Sequence, residues 1–203
     1  AKLDAAQLAG LTASQIPRLS ASQVKAMGLD VSGLSTTQIG AMNLQQVAGM
    51  TSDQLDSLSA EQIAAIKPAA LAGLSADSIG SLSTLQVAGM TPAQLSKLTK
   101  GQIQAMDPSD IAAISPSSIP GLEQRQISAL TGAQLAQLKA DQIAAMKPVQ
   151  LTSLTGAQLK LLSNDQISAM TPAQIKGIAP TSIPSLTESQ IIALIWSFDK
   201  SFS

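Results

Sequence analysis

Aliphatic residues recur along the chain at alternating spacings of five and three, which together define a repeat of eight residues. The repeat runs from Leu3 to Ala26 and, after an irregular unit at 27–33, from Leu34 to Ala193. Position 1 of each octad is Leu, Met or Ile, and position 6 is Ile, Leu or Val. Position 2 is Ser, Thr, Asp or Asn in 18 of 23 octads, position 5 is Gln in 18, and position 8 is Gly, Ala or Ser in 19.

These spacings predict a series of very short helices. A half-buried strand would need its apolar residues an even number apart, and spacings of five and three do not provide that. In one continuous helix an eight-residue repeat drifts by about 80° per unit, so the apolar stripe would wind around the helix. Proline and glycine, which interrupt helices, recur throughout. Each octad therefore holds one short helix and one turn.

Positions 1 to 6 match the start of a helix. In the octad at 11–18, Thr12 and Gln15 have the spacing of a capping box, in which the hydroxyl accepts from the N–H of the third helical residue. The glutamine then accepts from the N–H of the capping residue. Leu11 and Ile16 flank this pair as the two halves of a hydrophobic staple. The octad thus contains a complete signal for helix initiation.

Prolines and small residues agree with this assignment. Position 3 should be the first helical residue, where proline is favoured, and it holds Pro68, Pro92, Pro108, Pro116, Pro148, Pro172 and Pro180. Pro17, Pro120 and Pro184 follow position 6, so we expect their helices to be limited to a single turn. At position 8, glycine could end the helix in a left-handed conformation, and alanine or serine would let neighbouring backbones approach closely.

An isolated octad cannot fold, because two buried aliphatic side chains do not offset the entropy of ordering eight residues. Stacked octads can cover one another, so the sequence predicts an all-α solenoid of about two dozen helices of one to two turns, in a single repeat array over residues 1–203. A longer similarity relates Val47–Leu74 to Val87–Ile114 at a step of forty residues. Five octads could form one superhelical turn, or the block could be only the unit that was duplicated.

Composition argues against an enzyme and against metal or cofactor sites. The chain has no His and no Cys, so the commonest general base and the usual metal ligands are missing. Asp107 and Asp110 are close enough to act as acid and base, but they occupy a capping column and a glutamine column, which explains both. A net charge of −1 without a basic cluster argues against nucleic acid, and no run is long enough to span a membrane.

The recurring glutamine of position 5 allows two interpretations. As the partner in a capping box it has a purely local role, and the spacing follows that motif closely. Alternatively, the glutamines form a ladder along one face of the solenoid and bind a partner there. We favour the capping role.

The last ten residues, LIWSFDKSFS at 194–203, abandon the repeat and contain Trp196, Phe198 and Phe202, which are all the aromatic residues of the chain. Terminal repeats of solenoids are usually atypical, and we expect this segment to cap the last octad. The alternative is a docking or assembly point for another subunit or domain.

The stretches LTKGQIQAM, LTGAQLAQL and LSNDQISAM resemble the tandem LTxxQIxAL arrays of very large proteobacterial surface and secreted proteins, which include adhesin-like and haemagglutinin-like proteins. The resemblance extends from Leu3 to about Leu194. It implies an extracellular or cell-surface location, with an export signal outside this fragment, and a structural function as a stalk, spacer or fibre subunit. The partners would be the chain itself or flanking repeats. The alternative function is a solenoid binding module for a protein, a peptide or a glycan.

Overall fold

The computed structural model describes residues 7, 8 and 10–199, and it confirms an all-α solenoid of short helices. The described residues form nineteen α-helices, of four to six residues except for a last helix of twelve, and four 3-10 helices. The chain divides into two compact units, residues 1–106 and 107–203. None of the described helices has the length and hydropathy needed to cross a membrane.

Both units consist of helices that follow the octad closely. The first unit has 3-10 helices at Ile16–Arg18 and Gly28–Gly33 and α-helices at Ala21–Ala26, Thr36–Ala41, Leu44–Ala48, Ser52–Asp56, Ala60–Ala65, Pro68–Leu71, Ala76–Gly80, Thr84–Ala88, Pro92–Lys97 and Lys100–Ala105. The second unit has 3-10 helices at Pro116–Gly121 and Pro180–Ser185 and α-helices at Pro108–Ala113, Gln124–Ile127, Gly132–Gln137, Ala140–Ala145, Pro148–Leu151, Gly156–Leu159, Asn164–Ser168, Pro172–Gly177 and Glu188–Asp199.

The predicted capping box forms in most octads that contain it. At Thr91, for example, the hydroxyl accepts from the N–H of Gln94 at 3.2 Å, and Gln94 Oε1 accepts from the N–H of Thr91 at 2.9 Å. The octad of Thr12 forms only half of the motif. Gln15 Oε1 accepts from the N–H of Thr12 at 2.8 Å, but the N–H of Gln15 donates to the main-chain oxygen of Thr12 and not to its hydroxyl. The prediction of a full box at Thr12 was therefore wrong.

The prolines lie where the octad places them. All seven position-3 prolines begin a helix, as predicted. In the other three octads proline follows position 6. The octads of Pro17, Pro120 and Pro184 form 3-10 helices and not α-helices. A residue at this position of an α-helix would donate to the carbonyl four residues earlier, and proline has no N–H to do so.

Within each unit, helices pack against the helices that lie three octads away in the sequence. In the first unit Ala76–Gly80 packs against Lys100–Ala105, and in the second unit Pro148–Leu151 packs against Pro172–Gly177. The side chains of positions 1 and 6 fill the interior, where most position-6 residues have no exposed surface. Because the stacking step is three octads, the forty-residue similarity is not the superhelical turn.

Small residues at position 8, and glycine at position 7, serve close packing. Among the described residues only Gly28 has a positive φ, of 61°, so the expected left-handed glycine at the helix ends was wrong. Close backbone approach, which was expected of alanine and serine, is instead seen at glycines. A Cβ added at Gly80 would lie 2.5 Å from the main-chain oxygen of Ala105, and one added at Gly89 would lie 2.8 Å from that of Ala60. These glycines leave room for the backbone of a neighbouring turn.

Candidate functional site

The most regular polar feature is the set of glutamines at position 5, which connect one turn of the solenoid to the next. Gln86 Nε2 donates to the main-chain oxygens of Leu55 at 2.7 Å and Leu58 at 2.9 Å, which lie 31 and 28 residues earlier. Leu55 is position 6 of the octad four before, and Leu58 is position 1 of the octad three before. Each superhelical turn therefore contains between three and four octads.

The same bridge recurs within each unit. In the first unit it joins Gln38 to Leu8 and Leu11, Gln46 to Ile16 and Leu19, Gln54 to Val24 and Gly28, Gln62 to Ser32 and Leu34, Gln94 to Ile63 and Ile66, and Gln102 to Ala72 and Leu74. In the second unit it joins Gln142 to Ile111 and Ile114, Gln150 to Ile119 and Leu122, Gln158 to Ser128 and Leu130, Gln166 to Leu135 and Leu138, Gln174 to Ile143 and Met146, and Gln190 to Leu159 and Leu162.

Each bridging glutamine uses both ends of its amide. The oxygen accepts from the N–H of its own capping residue, and the nitrogen donates to a neighbouring turn. Most bridging glutamines are buried, Gln94 and Gln142 completely so. Because most of them point inward, they hold neighbouring turns of the solenoid together. The capping role was correctly preferred, and the inter-turn role was not foreseen.

The irregular unit at 27–33 preserves this ladder although it is one residue shorter than an octad. Gln46 bridges across it to residues 30 and 27 positions earlier, whereas the bridge of Gln86, which does not cross it, spans 31 and 28. Gly28–Gly33 forms a 3-10 helix here, and Gly28 adopts the left-handed conformation at its start. The seven residues therefore occupy the place of one octad.

Asp110 replaces the glutamine of its octad and is a buried acid, with 4% of its surface exposed. Its Oδ2 accepts from the N–H of Asp107 at 3.3 Å, which reproduces the capping half of the glutamine's role. Burial raises the pKa of the Asp110 carboxyl, and the neighbouring Asp107 carboxylate raises it further, against the opposing effect of the Asp107 N–H. These contacts assign both aspartates to the start of a helix.

Candidate metal ligands do not cluster in the described part of the chain. Residues 7, 8 and 10–199 contain no group of three His, Cys, Asp or Glu residues that could hold a metal ion. Every buried side-chain nitrogen or oxygen among them has a hydrogen-bond partner. The polar interior is therefore fully used by the fold.

A shallow groove of about 560 Å³ lies in the second unit between residues 120–125 and 147–150. Its polar groups bond mostly to one another. Glu123 Oε2 and Arg125 Nε form an ion pair at 2.7 Å, and Gln124 Nε2 donates to the main-chain oxygen of Val149 at 2.9 Å. Gln150 belongs to the ladder. The charges of Glu123 and Arg125 in this groove therefore partly neutralise each other, and the groove is open to solvent.

The aromatic residues of the C-terminus were predicted as a cap or docking point. Trp196 lies on the last helix, Glu188–Asp199, with 67% of its surface exposed, next to Ile195 at 62%. The same helix buries Leu194 and packs against Asn164–Ser168. The side chain of Phe198 and all of Phe202 lie outside the described residues. The docking role of these three residues stays a prediction.

Comparison with models of protein families and with curated proteins found no match to the chain.

Proposed function

We propose that this chain is a structural repeat protein, an extended spacer or stalk or a self-assembling subunit of a bacterial surface fibre or adhesin. The observation that carries the proposal is the inward glutamine ladder. The glutamines of position 5, the most regular polar residues of the sequence, form hydrogen bonds between turns. Gln142, for example, donates to the main-chain oxygens of Ile111 and Ile114. A sequence whose regularity serves stacking can be lengthened or shortened by whole repeats without loss of fold.

The outward positions support the same role. They carry mostly Ala, Ser, Thr and Gln with single scattered charges, and the net charge is −1. Such a surface has neither the clustered charge that recognises nucleic acid nor a set of convergent polar groups around a deep cavity. The resemblance to repeat arrays of proteobacterial surface and secreted proteins supports an extracellular location.

A ligand screen with a matched control tests this role. The native chain and a variant in which the exposed residues of positions 3, 4 and 7 are exchanged between octads have the same composition and the same interior. We expect neither to retain glycans or peptides on arrays. If the native chain captured a ligand and the exchanged variant did not, the protein would be a binding module. Protease treatment of intact cells should remove the protein if it is on the cell surface.

The alternative, a module that binds a protein, peptide or glycan, is favoured by the groove at residues 120–125 and 147–150. Arg125 and Lys147 line it and would contact an acidic ligand. Replacing both with alanine should abolish binding if the groove is used. The same substitutions at Lys25 and Lys176, which are exposed elsewhere, serve as the charge-matched control.

A further inference from the structure

The glutamine ladder is interrupted at two adjacent octads inside the first unit. Position 5 is glutamine at residues 46, 54 and 62 and again at 86, 94 and 102, but it is Ala70 and Ser78 between them. A glutamine there would reach the main-chain oxygens 31 and 28 residues earlier, as Gln86 does. Within residues 7, 8 and 10–199 no side chain donates to these four oxygens, which belong to Ile39, Met42, Val47 and Met50. We call the octads 66–73 and 74–81 the ladder gap.

The side chains of the ladder gap do not replace the missing amides. Ala70 has no polar side-chain atom. Ser78 is only half-buried, its N–H donates to the hydroxyl of Ser75 at 3.0 Å, and the two hydroxyl oxygens lie 2.8 Å apart. Lys67 Nζ lies 3.5 Å from the main-chain oxygen of Ala41, at an exposed site. Among the described residues, this is the one side-chain hydrogen bond that joins the ladder gap to the preceding turn.

Aliphatic packing holds the ladder gap in place, and it is looser at the second octad. The position-6 side chains of both octads are fully buried. In the first octad Pro68–Leu71 packs against Leu44–Ala48, three octads earlier. In the second octad Ala76–Gly80 packs against Lys100–Ala105, but of the described helices it has no comparably close contact with Ser52–Asp56, three octads earlier. The missing bridge and the loose packing therefore coincide.

A single missing bridge in the second unit is accompanied by close packing. Ser182 occupies position 5 there between Gln174 and Gln190, which both bridge to an earlier turn. Pro180–Ser185 packs closely against Gly156–Leu159, three octads before it. The ladder gap differs because two neighbouring octads lack the bridge and one of them is also loosely packed.

We infer that the first unit opens locally at the ladder gap while the octads on either side stay folded. Opening here separates residues 66–81 from the preceding turn at the expense of aliphatic contacts. At Gln62 or Gln86 the same movement would also break two hydrogen bonds to main-chain oxygens of an earlier turn. Local opening is favoured where such contacts are fewest. The inference concerns the fold and holds for a spacer and for a binding module alike.

The forty-residue similarity acquires a physical meaning from the ladder gap. Forty residues after Ala70 and Ser78, position 5 again lacks glutamine and holds Asp110 and Ser118. The three octads between these pairs all have glutamine. The repeated block therefore spaces the interruptions of the glutamine column and does not set the superhelical turn.

Native-state hydrogen exchange of the full chain tests the inference. In every octad compared, the N–H of position 6 donates to the main-chain oxygen of position 2, at 3.0 and 3.1 Å in the ladder gap and at 2.9 Å in the two flanking octads. All four position-6 residues have no exposed surface. We expect the protection factors of Leu71 and Ile79 to be at least about tenfold below those of Ile63 and Val87. Equal protection of the four would mean that the unit opens as a whole and would overturn the inference.

Closing the gap should reverse this difference. Ser78→Gln supplies an amide donor for the main-chain oxygens of Val47 and Met50, and we expect the protection factor of Ile79 to rise by about tenfold. Ser52→Gln makes the same change at an exposed position 3 and should leave that protection factor unchanged. A folded Ser78→Gln chain with unaltered exchange at Ile79 would contradict the role of the missing bridge.

Widening the gap is the converse test. Gln62→Ser introduces the residue that the ladder gap already carries at position 5 and removes the donor to the main-chain oxygens of Ser32 and Leu34. The protection factor of Ile63 should fall to that of Ile79, with an unchanged circular dichroism spectrum. If Ile63 stayed as protected as in the native chain, the ladder would not determine where the first unit opens, and the inference would be refuted.

Discussion

The side-chain nitrogen of Gln94 lies 2.7 Å from the main-chain oxygen of Ile63, a residue 31 positions earlier in the chain. The oxygen of the same amide accepts from the N–H of Thr91 at 2.9 Å. One residue thus starts its own helix and fastens it to the preceding turn. Glutamine suits this position because its amide carries a donor and an acceptor on one short side chain.

Replacing Gln94 with Glu should separate these two roles. Glutamate keeps the acceptor that capping needs, but it puts a carboxylate oxygen against the carbonyls of Ile63 and Ile66. Since these groups are buried, we expect a loss of about 3 kcal/mol in the free energy of unfolding. Denaturation followed by circular dichroism measures it.

Gln23→Glu is the matched control, because Gln23 is exposed and has only the capping contact. Its stability should change by less than about 0.5 kcal/mol. Equal losses at both sites would mean that the inter-turn hydrogen bonds contribute nothing to stability.

The difference between these two glutamines explains how far the sequence could predict the site. A capping box is a local motif, so the role of Gln94 toward Thr91 follows from a spacing of three. Its bond to Ile63 depends on the number of octads in a superhelical turn, and the octad itself does not encode that number. The forty-residue similarity left open whether five octads form one turn or the block is only the duplicated unit, whereas in the structure helices stack at a step of three octads.

The glycines also show that contacts between turns could not be predicted from the octad alone. The small residues of position 8 were correctly linked to helix ends, but Gly89 has a φ of −77° and needs no left-handed freedom. What it needs is space, because Ala60 of another turn lies against it. In the sequence, a glycine that is needed for packing against a distant octad looks the same as a glycine that is needed for a left-handed conformation.

Gly80→Ala should destabilise the first unit. The added Cβ would lie 2.5 Å from the backbone oxygen of Ala105, which cannot move as a side-chain end could. We expect a loss of about 1–3 kcal/mol, measured by thermal or chemical denaturation. Gly101→Ala is the control, since a Cβ there meets nothing within 4 Å. It lies inside Lys100–Ala105 and should stabilise the protein by about 0.5–1 kcal/mol, so two changes of the same sign would contradict the packing argument.

Thr91→Ala should cost about 1 kcal/mol, the usual loss for a helix cap. Its hydroxyl accepts from the N–H of Gln94, and alanine would leave that group without a partner. Thr12→Ala should cost less, because the hydroxyl of Thr12 contacts Ser14 and Gln15 side chains and not the N–H of Gln15. Paired denaturation curves measure the difference, and a larger loss at Thr12 would refute the assignment.

Asp110→Asn should stabilise the protein, and the gain should depend on pH. Because burial raises the pKa of Asp110 in the folded chain, the folded state binds more protons than the unfolded state between the ordinary and the raised pKa. The contribution of Asp110 to stability therefore falls as pH rises through that interval. The asparagine, which does not titrate, keeps an oxygen that can accept from the N–H of Asp107.

The stability difference between the native chain and Asp110→Asn should consequently be largest at neutral pH and shrink as the pH is lowered toward the ordinary range of aspartate. Denaturant unfolding at a series of pH values measures it. Asp165→Asn makes the same change of net charge at an exposed position and corrects for it. A gain that grew on acidification would mean that the native Asp110 is stabilised as a carboxylate, and would assign it a charged partner in place of a desolvated site.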